Sequence, residues 1–279
     1  MGSKVFITGG SSGIGESLAL QYAGPGNVVG LLSRDTNGRL ETVSQACREK
    51  GAEVFTFVAD ARDPTVMEKA AQDFMSLAGG IDIVVANAGV SVPDDTPNIT
   101  TLDIARANMD GNYFGVINTV TPFLALMKRQ RHGSIAITSS ISSLRSTHNS
   151  GPYSASKAAV NMWAEGLRLQ LRSFGISITV LRVGFVDTEM TRGNPFRMPG
   201  LISADKAAAL IINKTNRKIR ITVLPWTSGG LWTVFSLMPG PLYDWLIDTV
   251  KQRNDRRASQ GSGKPQTTSV PRPWNEPLA

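Results

Sequence analysis

Apolar positions along this chain gather in short unbroken runs separated by longer stretches of helical period. The runs are Val5-Phe6-Ile7, Val28-Val29-Gly30-Leu31-Leu32, Glu53 to Val58, Ile81 to Val85, Gly133 to Ser140, Phe174 to Leu181 and Arg220 to Pro225. Apolar runs of this length without strict alternation are the mark of strands covered on both faces. Between them Ile14, Leu18, Ala19 and Tyr22 recur at helical spacing. Further helical stretches cover about 37–50, 64–77 and 104–129, with another opening at Tyr153. Gly24-Pro25-Gly26, Lys50-Gly51 and Gly79-Gly80 break the pattern where one element must end. Strand and helix alternating in this way predict an α/β fold, a single doubly wound, Rossmann-like parallel sheet of about seven strands with right-handed crossovers and helices on both faces.

The first candidate for chemistry is Thr8-Gly9-Gly10-Ser11-Ser12-Gly13-Ile14-Gly15, set between the first strand and the first helix. Gly9 permits a sharp strand-to-helix turn, Gly13 has no Cβ to block a pyrophosphate, and Gly15 allows close helix packing. The helix N-terminus beyond it offers unpaired N–H groups and partial positive charge. Gly9, Ser11, Ser12, Gly13, Ile14 and Gly15 are therefore candidate contacts for a dinucleotide. The spacing T-G-x-x-x-G-x-G resembles that of the short-chain dehydrogenase/reductase family rather than the commoner G-x-G-x-x-G fingerprint.

Ser33-Arg34-Asp35 ends the second strand, where an acidic side chain would bind a ribose 2′-OH and a basic one a 2′-phosphate. In the resembled family the first residue past this strand is acidic in NAD enzymes, and the next is often Arg in NADP enzymes. Ser33 and Arg34 occupy those positions, so NADP(H) is the expected cofactor and NAD(H) the alternative, with Asp35 either its ribose contact or a helix-capping carboxylate. The resemblance also assigns Asp60, after the third strand, to the adenine. Asn87-Ala88-Gly89 closes the fourth strand; it matches the family's N-A-G motif, and the Asn side chain can tie strand ends together.

Asn112 lies within the 104–129 helix, where Asn is mildly unfavourable and needs a partner. The family places an Asn there whose backbone holds a proton-relay water, and the N-x-x-G-V pattern ending at Val116 favours Asn112 over Asn108. The fifth strand ends at Ser139-Ser140, at the carboxyl edge where open α/β sheets bind ligands. Thirteen residues later comes Tyr153-Ser154-Ala155-Ser156-Lys157. Tyr and Lys at i and i+4 share a helix face about 6 Å apart along the axis. A cation there favours phenolate and lowers a tyrosine pKa from about 10 toward working pH, as a general acid/base requires.

The resemblance thus covers about residues 3 to 225, with Asn112, Ser140, Tyr153 and Lys157 matching the catalytic tetrad. It implies reversible hydride transfer between nicotinamide C4 and a carbonyl or secondary alcohol. Ser140 would bind the substrate oxygen, Tyr153 exchange the proton, and Lys157 tune Tyr153 and hold the ribose. Val186 and Thr188 match positions that meet the nicotinamide and its phosphates. Val183 stands where the family usually has Pro, which removes a fixed φ and predicts a softer loop. Residues 189–203, with Met190, Arg192, Phe196, Arg197, Met198 and Leu201, match the family's mobile substrate lid and hint at a lipophilic substrate.

Composition trims the alternatives. The formal charge of the 279 residues is +7, but within 251–279 six cations oppose two carboxylates, so this tail supplies +4 of it. Rich in Ser, Gly, Pro and Thr from Ser259 on, the tail is expected to be disordered rather than a nucleic-acid arm. Residues 226–250 form an apolar extension expected to pack on the body, wall the pocket or join subunits, ahead of a peripheral membrane contact. No apolar run approaches the roughly 18 residues of a membrane span, and no signal peptide is recognised. Cys47 stands alone, as suits a reducing, cytoplasmic setting. His132 and His148 lack the companions of a metal site. The family prior is a homodimer or homotetramer formed through the helices of Asn112 and Tyr153. An NAD-dependent alcohol dehydrogenase and a catalytically silent dinucleotide-binding regulator remain as alternatives.

Overall fold

The structure is a computed structural model that describes residues 2–260 apart from 36, 95, 97, 98 and 193–197, with the backbone alone for 226–231 and 253–260. Seven strands form one parallel sheet: β1 (Lys4–Thr8), β2 (Val28–Ser33), β3 (Glu53–Val58), β4 (Ile83–Ala86), β5 (Gly133–Ser140), β6 (Ile176–Val183) and β9 (Ile221–Leu224). Their order is β3-β2-β1-β4-β5-β6-β9. The order reverses on either side of β1, and that reversal opens a crevice at the carboxyl edge between β1 and β4.

Period-two alternation divides the core. Val5 and Ile7 face α1 (Gly13–Tyr22), α2 (Arg39–Glu49) and α8 (Ala204–Asn216), where Leu18, Leu40 and Ile211 complete one apolar layer. Phe6 faces the opposite way, its ring 5.4 Å from that of Phe74 and 5.0 Å from that of Phe123. Phe74 comes from α3 (Pro64–Ala78), whose N-terminus is capped by Asp63 and whose first position is Pro64. The 21-residue α7 (Gly151–Leu171) adds Val160, Ala164 and Leu171 to this second layer.

The helix expected over 104–129 is instead a chain of segments. α4 (Thr101–Met109) passes into a π turn over Asp110–Phe114, then α5 (Gly115–Val120), a 3-10 turn at Thr121–Phe123 and α6 (Leu124–Gln130). Pro122 has no N–H to give and tightens one break. The π turn surrounds Asn112, whose side chain is committed elsewhere, as below.

Three further features depart from the sequence reading. A second, two-stranded parallel sheet joins β7 (Val186–Asp187) to β8 (Ile202–Ser203), so the stretch expected to act as a lid is an excursion pinned at both ends. Within that excursion Phe196 and Arg197 lie outside the described residues. Val183 lies inside β6, paired with Ser140 and Leu224, and the Gly184 N–H donates to the Leu224 carbonyl at 2.7 Å; the ladder thus sets the backbone that a proline ring would otherwise fix. After β9 come α9 (Trp226–Leu237) and α10 (Gly240–Gln260). The helix α10 runs ten residues into the stretch assigned to a disordered tail, because Lys251, Gln252, Arg253, Arg256, Arg257 and Ala258 are strong helix formers; the rest of that expectation, 261–279, lies outside the described residues. Among the described residues no helix is long and apolar enough to cross a membrane.

Candidate active site

The glycine turn is built as its residue types require. Gly9 and Gly13 adopt φ of +70° and +54°, a region that β-carbon-bearing residues rarely enter. The Gly9 and Gly10 N–H groups donate to the Leu32 carbonyl at 2.8 and 3.1 Å, which folds the turn back over the end of β2. A Cβ on Gly15 would sit 1.9 Å from the Gly9 carbonyl oxygen, so only glycine fits. Ser12 precedes α1 without capping it, and Ser11 through Ile14 keep part of their surface open. The first N–H groups of a ten-residue helix therefore face a cradle at the crevice, as a pyrophosphate would need.

Other ends converge there. Asn87 binds three strands together: its Nδ2 donates to the Thr8 carbonyl (3.2 Å), its N–H to Thr8 Oγ1 (3.2 Å), and its Oδ1 accepts from Thr138 Oγ1 (3.2 Å). The expected tie between strand ends is thus observed. Thr188 reaches the glycine turn from the far side, its methyl 3.0 Å from where a Gly13 Cβ would lie, and Thr191 Oγ1 braces it by donating to the Val186 carbonyl at 2.5 Å. Val186 itself is buried in β7.

At the end of β2, Ser33 is buried and accepts from the Asp35 N–H (3.3 Å). Asp35 turns its Oδ1 to the Leu40 N–H at 2.9 Å, the helix-capping role weighed for it. Arg34 is exposed and makes no hydrogen bond or ion pair among the described residues. Asp60 accepts from Arg62 at its N–H, Nε and Nη2 (2.9, 3.0 and 2.6 Å). Burial works to raise the Asp60 carboxyl, but the Arg62 hydrogen bonds and the charges of Arg62 and Arg34 hold it below its ordinary range. Arg62 is a neighbour that motif spacing did not single out.

On the other side of the crevice, β5 delivers Ser140 and α7 delivers Tyr153 and Lys157. Ser140 is nearly buried and its Oγ accepts from the Ser142 N–H (3.1 Å), which leaves its own proton to give. Lys157 is 4 % exposed; its Nζ donates to the Thr138 carbonyl (3.0 Å) and lies 5.9 Å from the centre of the Tyr153 ring. Burial drops its ammonium to about 8. The Tyr153 phenol moves up, not down as the lysine alone would dictate: burial raises it, against a lowering by its hydrogen-bond partner Ser140. Lys157 is turned to the Thr138 carbonyl, and burial is the larger influence on the phenol.

Asn112 is fully buried and holds the far wall. Its Oδ1 accepts from the Val90 N–H (2.9 Å), and its Nδ2 donates to the Val90 carbonyl (2.9 Å) and to Ser156 Oγ (3.0 Å). These bonds connect the π turn, the segment after Gly89 and α7, and a Cβ on Gly89 would lie 2.7 Å from Asn112 Oδ1 and 3.3 Å from Lys157 Nζ. Asn108, the other candidate, is not idle: it clamps Val92 from both sides and bonds the Ile104 carbonyl. The contributions of Val90, Thr138 and Ser156 were invisible to motif reading, because the first two act through backbone atoms. Cys47 is a packed thiol pushed up to about 11 by burial, against the nearby Lys50 and Arg48. His132 and His148 pair with Asp82 and Asp248 rather than with each other.

Comparison with known proteins agrees with this geometry. The family model described as short chain dehydrogenase matches residues 3–196. An 11-beta-hydroxysteroid dehydrogenase 1A of Arabidopsis thaliana is 33% identical over 230 residues, 82% of this chain, and the chain spans 63% of that relative's length. An uncharacterized oxidoreductase of Myxococcus xanthus is 31% identical over 85% of this chain and 93% of its own. In three dimensions levodione reductase superposes with a TM-score of 0.72 over 80% of this chain and 96% of that one, at 24% identity.

Proposed function

The chain belongs to the short-chain dehydrogenase family, and on that premise we propose that it is an NADP(H)-dependent oxidoreductase acting on a lipophilic ketone or secondary alcohol. The observation that carries the reading is the meeting of Ser140, Tyr153 and Lys157 at the carboxyl edge, across the crevice from an uncapped helix N-terminus behind a glycine turn. A bound nicotinamide would supply or take the hydride. The chain's own residues do the rest. Gly9 to Gly15 and Thr188 would hold the phosphates, with Asn87, Gly89 and Val186 shaping the floor of the groove. Ser140 donates to the substrate oxygen and stabilises negative charge as it grows there. Tyr153, kept protonated at neutral pH by burial, gives that oxygen its proton in the reductive direction. Lys157 holds a charge beside the phenol and is placed to hold a ribose. Asn112 keeps the wall of the site in register through Val90 and Ser156.

Two observations support NADP(H) over NAD(H). Arg34 is exposed at the end of β2 without a bonded partner among the described residues, available to a 2′-phosphate, while the Asp35 carboxylate that would favour NAD is spent on the α2 N-terminus. Asp60 lies near Arg34, and its carboxylate, held by Arg62, would border the adenine. The lipophilic substrate follows from the relatives named hydroxysteroid dehydrogenases and from Met190 and Leu201, both exposed on the excursion between β7 and β8. A homodimer is part of the same reading: Phe114, Met162 and Leu169 stand exposed on the two helical segments that hold Asn112 and Tyr153.

Fluorescence titration with NADPH and NADH, on wild type and Arg34→Ala, tests the cofactor. Tighter NADPH binding that weakens in the variant is expected; equal binding or an unchanged NADH preference would refute it. A ketone screen with Tyr153→Phe as the inactive control then tests the reaction.

A further inference from the structure

Ser140 and Tyr153 bracket a twelve-residue connection, 141–152, which borders the site and is fastened at several points. Part of that fastening is local. Ser143 Oγ donates to the Ser140 carbonyl at 2.5 Å and accepts from Asn161 Nδ2 at 2.8 Å, while Ser150 Oγ accepts from the Thr147 N–H at 3.2 Å. The remainder comes from the far end of the chain. Arg145 Nη1 donates to the carbonyls of Phe235 (3.1 Å) and Met238 (2.5 Å), at the C-terminus of α9. Its guanidinium carbon lies 3.8 Å from the centre of the Tyr243 ring, the first turn of α10. The Tyr243 hydroxyl donates to the Ser146 carbonyl at 2.6 Å, and His148 pairs with Asp248 at 3.0 Å. Tyr243 is buried, whereas Leu237, Leu242 and Trp245 around it are exposed, so the contact is selective.

We propose that Arg145 is a positioning residue, which fixes the α9–α10 segment against the 141–152 connection and makes that segment the outer wall of the substrate site. The placement follows from topology. Ser140, Val183 and Leu224 are neighbours across three parallel strands, and α9 starts two residues after Leu224, at the same carboxyl edge. A segment rooted there and fastened to 145–148 must stand over the edge where Ser140 and Tyr153 act. Arginine suits the role for two reasons. Its Nη1 reaches two carbonyls at a helix C-terminus, where the dipole favours a cation, and its flat face stacks on the tyrosine. Lysine can serve the carbonyls but not the stack. Burial raises the Tyr243 phenol against the lowering effect of Arg145, so its hydroxyl remains a donor to Ser146.

The inference rests on the proposed reaction for its kinetic arm only. Full-length Arg145→Ala and Arg145→Lys are compared with wild type in NADPH-dependent reduction of a bulky bicyclic ketone (a decalone) and a small one (cyclohexanone). For Arg145→Ala the KM for the decalone is expected to rise about tenfold, the worth of a charge-assisted hydrogen bond, with kcat, the KM for cyclohexanone and dinucleotide affinity unchanged; Arg145→Lys should recover part of it. Amide hydrogen exchange on the same proteins should show residues 144–148 and 240–248 losing protection together while the sheet keeps its own. A like rise in both KM values, no rise in either, or exchange that changes on one side only would overturn the proposal. If wild type reduces no ketone with either dinucleotide, the proposed reaction fails, and the exchange arm still decides whether Arg145 couples the two segments.

Discussion

Lys157 is held in a position that costs stability. Its folded pKa of about 8 lies below the ordinary 10.5 because burial disfavours the ammonium. Between those values the unfolded chain carries more protons than the folded one, so stability rises with pH across that window, and below pH 8 the full cost of the buried charge, about 3 kcal/mol, is present. The expected outcome is that Lys157→Met is inactive yet more stable than wild type at pH 7 by up to that amount in chemical denaturation, the gap closing toward pH 10. No gain at pH 7 would mean the ammonium is better solvated than its burial implies. The same titration should appear in function: reductive kcat/KM is expected to hold through neutral pH and fall above about pH 8 as Lys157 discharges, since Tyr153 retains its proton over that range. Residue types and spacing made these two side chains legible in the sequence. The sense of the tyrosine shift was not legible, because it depends on how much protein surrounds the phenol and on the Thr138 carbonyl that takes the lysine's proton donor.

At the scale of elements, strands were readable and helix interruptions were not. A strand covered on both faces must be apolar throughout, and that shows in composition, as in Ile83-Val84-Val85. The π turn at Asp110–Phe114 depends on where the Asn112 amide finds partners, Val90 and Ser156, far off in sequence. The glycine turn carries its own signal because steric exclusion is local. Gly15→Ala places a Cβ 1.9 Å from the Gly9 carbonyl; it should cost roughly 1–3 kcal/mol of stability and abolish dinucleotide binding, as denaturation and titration of the one variant can both report. Asp35→Ala separates two roles for one side chain. Loss of the bond to the Leu40 N–H should cost about 1 kcal/mol, while NADPH binding stays as in wild type; a weaker NADH affinity with no stability change would return Asp35 to the ribose.

For the whole molecule, the proposed homodimer would bury the exposed apolar residues of α7. Met162 and Leu169 are 74% and 51% exposed and seven residues apart, hence on one face of the helix. Light scattering on a Met162→Glu/Leu169→Glu variant is expected to report monomers where wild type reports dimers. Neither surface patches nor the seat of α9 and α10 on Arg145 could be read beforehand, since both are products of tertiary placement. The strand order carries one more consequence, for the chain as it is made. The earliest strand of this sheet ends up in its interior: β1, whose Val5, Phe6 and Ile7 are wholly buried, gains its second neighbour only when β4 is out. Contacts between such distant segments form slowly. A nascent chain must therefore shelter an apolar ribbon while the residues between Thr8 and Ile83 are made, and would be a client for holding chaperones long before Ser140, Tyr153 and Lys157 exist.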